Sequence, residues 1–223
     1  SLGLWTTLLV YMISIPLGVA KAIRDGTKFD IWTSSAVIVG YSIPGFLFAI
    51  LLVIVFAGGS FLDWFPLRGL TSPNWESMGW FDKTLDYLWH ITLPVLALVI
   101  GAFAGLTMLT KNSFLDQINM QYVTTARAKG LPERTVILRH ALKPAMLPVI
   151  TYLGPMFVGL ITGSFIIDSI FSTGGMGYFF VNSALNRDYS VMLGITLLAG
   201  GLVVLFNLIV DLAYGWLDPQ IRY

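Results

Sequence analysis

Apolar residues along this 223-residue chain fall in long, nearly unbroken blocks, with no strict alternation and no heptad pattern. A helix that crosses the hydrocarbon core of a bilayer needs about 20 mostly apolar residues. Five blocks reach that length, at residues 4–22, 31–57, 91–110, 145–167 and 191–215. Pro16, Pro44, Pro94 and Pro155 lie inside these blocks or near their starts. Membrane helices tolerate proline where neighbouring groups re-satisfy the freed carbonyls. The second block is longer than a span needs, so it predicts a tilt, a kink at Pro44 or a protruding end. The pattern predicts an all-α transmembrane chain, a polytopic helical bundle with five spans and a single domain over 1–223.

Composition supports lipid as the solvent. Hydrophobic residues make up 56% of the chain and charged residues only 11%, against about 25% charged in ordinary soluble domains. The few charges are unevenly placed. Lys21, Arg24 and Lys28 follow the first block, Arg222 follows the fifth, and Lys111, Arg127, Lys129, Arg134, Arg139 and Lys143 follow the third. The other connections hold only Arg68, Lys83 and Arg187, so ten of the thirteen basic residues fall on one side. That side is predicted to be cytoplasmic. The first residue then lies outside and the last inside, which predicts a further helix upstream, and a start at Ser1 without Met fits a piece of a longer protein.

Several chemistries find no residues to carry them. The chain has no cysteine, and its two histidines, His90 and His140, stand far apart with no HExxH pattern. No catalytic residue and no metal site are therefore predicted. The GxxxxGK[ST] phosphate loop is absent, so no ATP binding of that kind is expected of this chain.

Two connections stand out. The outer loop, about 58–90, mixes Trp64, Phe65, Trp75, Trp80, Phe81, Tyr87 and Trp89 with Asp63, Glu76, Asp82 and Asp86. It reads first as an interfacial aromatic belt, and a docking surface for an external partner is compatible with that reading. The inner loop, about 111–144, is too polar to span and too regular for a plain linker. Helical character runs over 114–129, Gly130 is a natural stop, and Pro132 with Glu133 suits the first turn of a second helix. That second helix is expected to run through Arg139 and His140 towards Pro144. The small residues Thr124, Thr125, Ala126 and Ala128, with basic Arg127 and Lys129 between and beside them, would let another protein approach closely. Basic side chains there would steer its docking.

The stretch TARAKGL followed by RHALKPAMLP resembles the cytoplasmic coupling (EAA) loop of permeases from binding-protein-dependent ABC importers. Ala126 and Gly130 match its second Ala and its Gly, while Thr124 and Thr125 replace its Glu and Ala, as in the peptide branch (dipeptide, oligopeptide and nickel importers). YSIPGFLFAILLV, WHITLPVLAL, RDYSVMLG and DLAYGWLDPQIRY resemble the same branch. FSTGGMG resembles a stretch usually reading FxxPGxG, with Gly174 in place of Pro. The resemblance implies a type I ABC importer permease fold lacking the family's first helix, in a multi-pass protein of the bacterial inner membrane. It implies peptide substrates, microcin C-like peptide conjugates among them, moved from periplasm to cytoplasm by alternating access. The implied partners are a second, usually non-identical permease, two ATPase subunits, a periplasmic solute-binding protein and the lipid bilayer, with no nucleic acid. The chain itself would be non-catalytic and bind no cofactor, ATP and Mg residing on the ATPases. Thr124 to Pro132, that is Thr124, Thr125, Ala126, Arg127, Ala128, Lys129, Gly130, Leu131 and Pro132, would couple to the ATPase.

Other residues carry weaker expectations. Asp211 lies one turn from the inner end of the last block with Asn207 on the same helical face, and together with Tyr41 and Pro44 they are candidates for the translocation path or gate. Asp168, at an outer helix end, is expected to be a structural anchor. Gly101 with Gly105, and Gly159 with Gly163, suggest close helix packing. The alternative function is a secondary transporter or channel-type bundle, which would need ionisable residues near mid-membrane. The first four blocks offer essentially none.

Overall fold

The computed structural model describes residues 1–59, 61–154, 156, 159 and 165–217. Ten α-helices are named here. They are α1 (Leu2–Ile23), α2 (Lys28–Ser42), α3 (Gly45–Phe56), α4 (Trp80–Ile118), α5 (Gln121–Ala128), α6 (Glu133–Thr135), α7 (Leu142–Thr151), α8 (Phe165–Phe171), α9 (Met176–Leu185) and α10 (Tyr189–Leu217). A π-helical turn, Val136–Ala141, joins α6 to α7, and a short 3₁₀ turn, Trp75–Ser77, lies in the outer loop. No strand occurs among the described residues.

The sequence predicts five spans; among the described residues, three helices are long and apolar enough to cross a membrane: Leu2–Ile23, Trp80–Ile118 and Tyr189–Ala213. The pair α2 and α3 makes a fourth if taken as one span, but it is bent by 89°. The block at 31–57 is thus not one kinked rod. The sharp break follows from Pro44, which caps α3, because a residue before proline is driven out of the helical region. Ile43 is accordingly extended, at φ −86° and ψ 118°. The expected fourth block, 145–167, begins inside α7 and ends inside α8; positions 155, 157, 158 and 160–164, including Pro155 and Gly163, lie outside the described residues, as does Arg222.

α4 is the hub. It runs 39 residues through the buried Pro94, about 58 Å at helical rise, so it exceeds the roughly 30 Å hydrocarbon core and projects beyond it. α1, α2, α3, α7 and α8 all pack on it, while α9 joins α8 to α10. The α1 face against α4 is one stripe: Leu2, Gly3, Thr6, Val10, Ser14, Gly18, Lys21 and Ala22 are its buried residues. Three- and four-residue spacing places these side chains on a single side of the helix. Gly18 sets the approach. A Cβ there would lie 2.6 Å from Thr110 Cβ and 2.8 Å from the Thr107 carbonyl oxygen. The close crossing is therefore at Gly18. A Cβ on Gly101 would meet nothing within 4 Å, and one on Gly105 only Tyr152 Oη at 3.5 Å, so this expected pair makes no tight crossing.

The outer loop is strapped to the bundle. Ser72 donates its N–H to Asp86 Oδ2 (2.9 Å), Trp89 Nε1 donates to the Trp64 carbonyl (2.7 Å), and Gly69 N donates to the Phe171 carbonyl (2.9 Å). Phe171 begins the FSTGGMG turn. There Ser172 and Gly174 have positive φ, 50° and 68°. Proline cannot reach that region, so the Gly in place of the usual Pro matches this backbone. Asp168 is buried and accepts a hydrogen bond from Thr173 Oγ1 at 3.0 Å. A Cβ on Gly175 or Gly177 would approach its Oδ2 to 2.6 or 2.7 Å, so the turn wraps a carboxylate with glycines.

The candidate coupling site

The inner loop is built as one helix and a turn between two long helical runs. α4 continues to Ile118, so residues 114–118 belong to it and not to the short helix. After the break at Asn119 and Met120, α5 starts at Gln121, and Tyr122 Oη donates to Gln117 Oε1 across that break at 2.7 Å.

α5 ends in a Schellman turn. Gly130 N–H donates to the Arg127 carbonyl at 2.9 Å, and Leu131 N–H reaches the Ala126 carbonyl at 3.4 Å. This pairing requires a left-handed residue after the cap, and Gly130 supplies it at φ 77°. Pro132 then stands as the N-cap of α6, one position before the first helical turn. The second run passes Pro144 and Pro148 and continues to Thr151. Pro144 offers no N–H to the carbonyl of His140, and the wider π turn lies where that bond is lost.

The two faces of α5 differ. Val123 and Ala126 are buried in a cluster with Ala22 of α1, Phe114 of α4, Val136 and Ala141 of the π turn and Ala145 of α7. The other proposed coupling residues, Thr124, Thr125, Arg127, Ala128, Lys129, Gly130, Leu131 and Pro132, are exposed. Ala126 is thus 5% exposed and faces this chain's own interior. Its small size suits the buried cluster that α5 shares with the π turn, α1 and α4, and the surface open to another protein is made by its neighbours. Arg127 hydrogen-bonds Glu133 through Nη2 (2.8 Å) and Nε (3.2 Å). These bonds hold the Glu133 carboxyl below the usual carboxylate range and raise the Arg127 guanidinium above its ordinary value. A polar cleft of about 360 Å³ opens beside them, lined by Asp25, Asn119, Arg127 and Glu133 with apolar residues of α1 and α4.

The path candidates fall in two places. Tyr41, in the last turn of α2, and Pro44, at the start of α3, flank the 89° bend and are exposed. Asn207 and Asp211 are exposed on α10, which packs against α9 and α7. Gly154 brings its backbone close to α10, where an added Cβ would stand 3.4 Å from Asn207 Oδ1. No group of three or more potential metal ligands occurs among the described residues.

The sequence reading missed what lies under the coupling helix. Lys21 and Lys111, read as basic residues of the inner surface, are buried. Lys21 Nζ stands 3.1 Å from Asp30 Oδ1, and Lys111 Nζ stands 2.7 Å from both Asp25 Oδ1 and Asp30 Oδ2. A signal existed: Asp30 falls one residue before the start of the second apolar block, where a lone carboxylate is costly unless paired.

Comparison with known proteins agrees with this architecture. Residues 14–223 match the family described as "Binding-protein-dependent transport system inner membrane component". The chain is 51% identical to the inner membrane ABC transporter permease protein YejB of Escherichia coli O157:H7 and 50% identical to the peptidoglycan transport system permease protein YejB of Agrobacterium fabrum. Each alignment covers all of this chain and 62% of the relative. It is 41% identical to the oligopeptide transport system permease protein OppB of Haemophilus influenzae, again over the whole chain and 68% of that protein. The chain therefore spans about 62% of the length of the first two relatives. With a helical bundle centred on α4, an exposed turn at Gly130 and this match over nearly its whole length, the chain belongs to the family of binding-protein-dependent transport system inner membrane components.

Proposed function

We propose that the chain forms the membrane domain of a permease subunit in an ATP-driven importer that carries peptides from periplasm to cytoplasm by alternating access. The observation that carries this reading is α5: a short helix presented outward on a Schellman turn, with its inward face packed on the Val136–Ala141 π turn and joined in one buried cluster with Ala22 of α1 and Phe114 of α4. Such a helix moves with the bundle, so a push on it becomes a movement of membrane helices. The names of the relatives, oligopeptide and peptidoglycan transport systems, support peptides as the substrate class. Peptidoglycan fragments and microcin C-like conjugates are included in that class.

In this reading the protein is multi-pass in the bacterial inner membrane and pairs with a second, non-identical permease. Two ATPase subunits sit beneath the permease pair, and one docks on this chain's exposed residues Thr124, Thr125, Arg127, Ala128, Lys129, Gly130, Leu131 and Pro132, while Ala126 seats the helix from inside. ATP and Mg are held by those subunits, and this chain performs no hydrolysis. A solute-binding protein delivers the peptide against the strapped outer loop. Tyr41, Pro44, Asn207 and Asp211 contribute to the path or its gate.

The test is assembly and transport. The full-length permease, expressed with the ATPase genes of its importer, should retain the ATPase subunits through purification. In vesicles it should take up labelled peptide only with ATP and binding protein. A stable solitary oligomer that retains no ATPase, or uptake driven by an ion gradient without ATP, would overturn the reading in favour of a secondary transporter.

A further inference from the structure

Four charged side chains lie at the inner end of the bundle, outside the coupling surface. Lys21, fully buried near the end of α1, donates to the Asp30 carbonyl (3.1 Å), Thr33 Oγ1 (2.9 Å) and Ser34 Oγ (2.6 Å), and lies against Asp30 Oδ1. Lys111 of α4 bridges Asp30 Oδ2 and Asp25 Oδ1. Gly26 N–H also donates to Asp30 Oδ2, at 3.2 Å. The carboxylate of Asp30, in the first turn of α2, thus takes one lysine on each oxygen, from two different helices.

Those same helices seat the coupling helix. Ala22 adjoins Lys21, and Phe114 lies one turn after Lys111. Both belong to the cluster that receives Val123 and Ala126. α1 and α4 are therefore held between α5 on one side and Asp30 on the other. Farther along α2 an open apolar cleft of about 290 Å³ is lined by Thr33, Ala36 and Val37 of α2, by Leu17 of α1 and by Ile100 and Phe103 of α4. It closes at Gly40, where an added Cβ would stand 3.4 Å from Ile100 Cγ1. α2 is thus held by charge at its foot and by apolar contact above it. Its far end is the 89° bend.

We infer that Asp30, gripped by Lys21 and Lys111, is a positioning residue of the transport cycle: the pivot through which a displacement of the coupling helix reaches α2 and the α2–α3 bend. Apolar contacts can slide. Paired charges in a low-dielectric setting hold a fixed geometry, because separating them leaves buried charge uncompensated. Movement of α1 and α4 must then carry the foot of α2 with it, while the apolar contacts farther along α2 are free to slide. This inference rests on the permease reading.

The test uses the assembled transporter in proteoliposomes. Lys21→Met with Asp30→Asn removes opposite charges together and leaves Lys111 with Asp25, so no buried charge is orphaned. Asp25→Asn with Lys111→Gln cuts the other side and leaves Lys21 with Asp30. In both variants the ATPase subunits should copurify and hydrolyse ATP at close to the parent rate. Peptide uptake per ATP should fall by about tenfold or more, the scale of coupling between linked sites. Asp30→Glu should recover most of the coupling. Spin labels at Ile38→Cys and Gln121→Cys, the latter exposed at the start of α5 and outside the proposed docking residues, introduced into the cysteine-free chain, should report an ATP-dependent distance change in the parent background and none in the two variants. Unchanged uptake per ATP and an unchanged label shift would overturn the pivot. So would failure of both charge-balanced variants to assemble, which would make the cluster an element of folding alone. If the parent protein retained no ATPase, the permease reading itself would fall.

Discussion

The guanidinium of Arg127 closes on the carboxylate of Glu133 through two hydrogen bonds, so the end of the coupling helix is stapled to the start of the next across the Gly130 turn. Both side chains are well exposed, 40% and 57%, so the pair adds little to global stability, and its effect is local. The Arg127 hydrogen bonds depress the Glu133 carboxyl in the folded protein. The staple is therefore complete above the unfolded carboxylate range and is lost as pH falls through the depressed folded value. Amide exchange over residues 121–131, corrected for intrinsic rate, should be constant from neutral pH down to about pH 5 and should accelerate below the ordinary carboxylate range near pH 4. Glu133→Gln should show the faster exchange already at neutral pH.

Gly130→Val places a β-branched residue at φ 77°, where nothing lies within 4 Å of an added Cβ. The cost is thus backbone strain, about 1 kcal/mol or more, with no clash inside the chain. Membrane insertion should be intact, while ATPase retention and peptide uptake fall. Gly130→Asn, which tolerates the left-handed region better, should retain much of both. Equal retention in the parent and the Val variant would show that the turn geometry does not matter for docking.

Ala126→Trp and Ala128→Trp separate seating from docking. Ala126 is buried among Ala22, Phe114 and Val136, and overpacking of such a site costs about 1–3 kcal/mol or more. Its substitution should lower the thermal midpoint of the isolated permease and loosen the ATPase indirectly. Ala128 is exposed, so its substitution should leave that midpoint unchanged and still reduce ATPase retention in a pull-down. Lys83→Ala in the outer loop should alter neither.

Membrane orientation is checked with single cysteines in this cysteine-free chain. Arg68→Cys should react with an impermeant reagent added outside intact spheroplasts, and Arg134→Cys only after the membrane is opened. The reverse order would invert the positive-inside assignment.

Gly18→Val should break the α1–α4 crossing, because its Cβ would stand 2.8 Å from a backbone oxygen that cannot swing aside. Loss of the monodisperse peak in detergent is the expected result. Gly101→Val, at an open position, should behave like the parent.

What sequence could reveal here follows from what each signal measures. Block length announces apolar helices, and Gly130 two residues before Pro132 announces the turn between two of the shorter ones. Neither tells which way a helix faces. Ala126 looked like an outward small residue because spacing gives a period and not a direction, and only Ala22 and Phe114 fix its inward side. Lys111 looked like one more inner-surface lysine because its partner Asp30 is 81 residues away. Gly101 and Gly105 satisfied the small-residue pattern without a partner helix close enough to use it. The bend at Pro44 was legible as a break, but its 89° depends on how α3 lies against α4.

The lysine pair around Asp30 also sets an order of events during synthesis. When α1 and α2 have entered the membrane, Asp30 has Lys21 for one oxygen, while the other has only the Gly26 N–H and awaits its cation from a helix not yet made. Only after the ribosome has passed Lys111 can that oxygen and Asp25 acquire their shared cation. A nascent chain halted before that point carries an incompletely neutralised carboxylate at the mouth of the α1–α2 hairpin, so the hairpin is electrostatically complete only once α4 has been made.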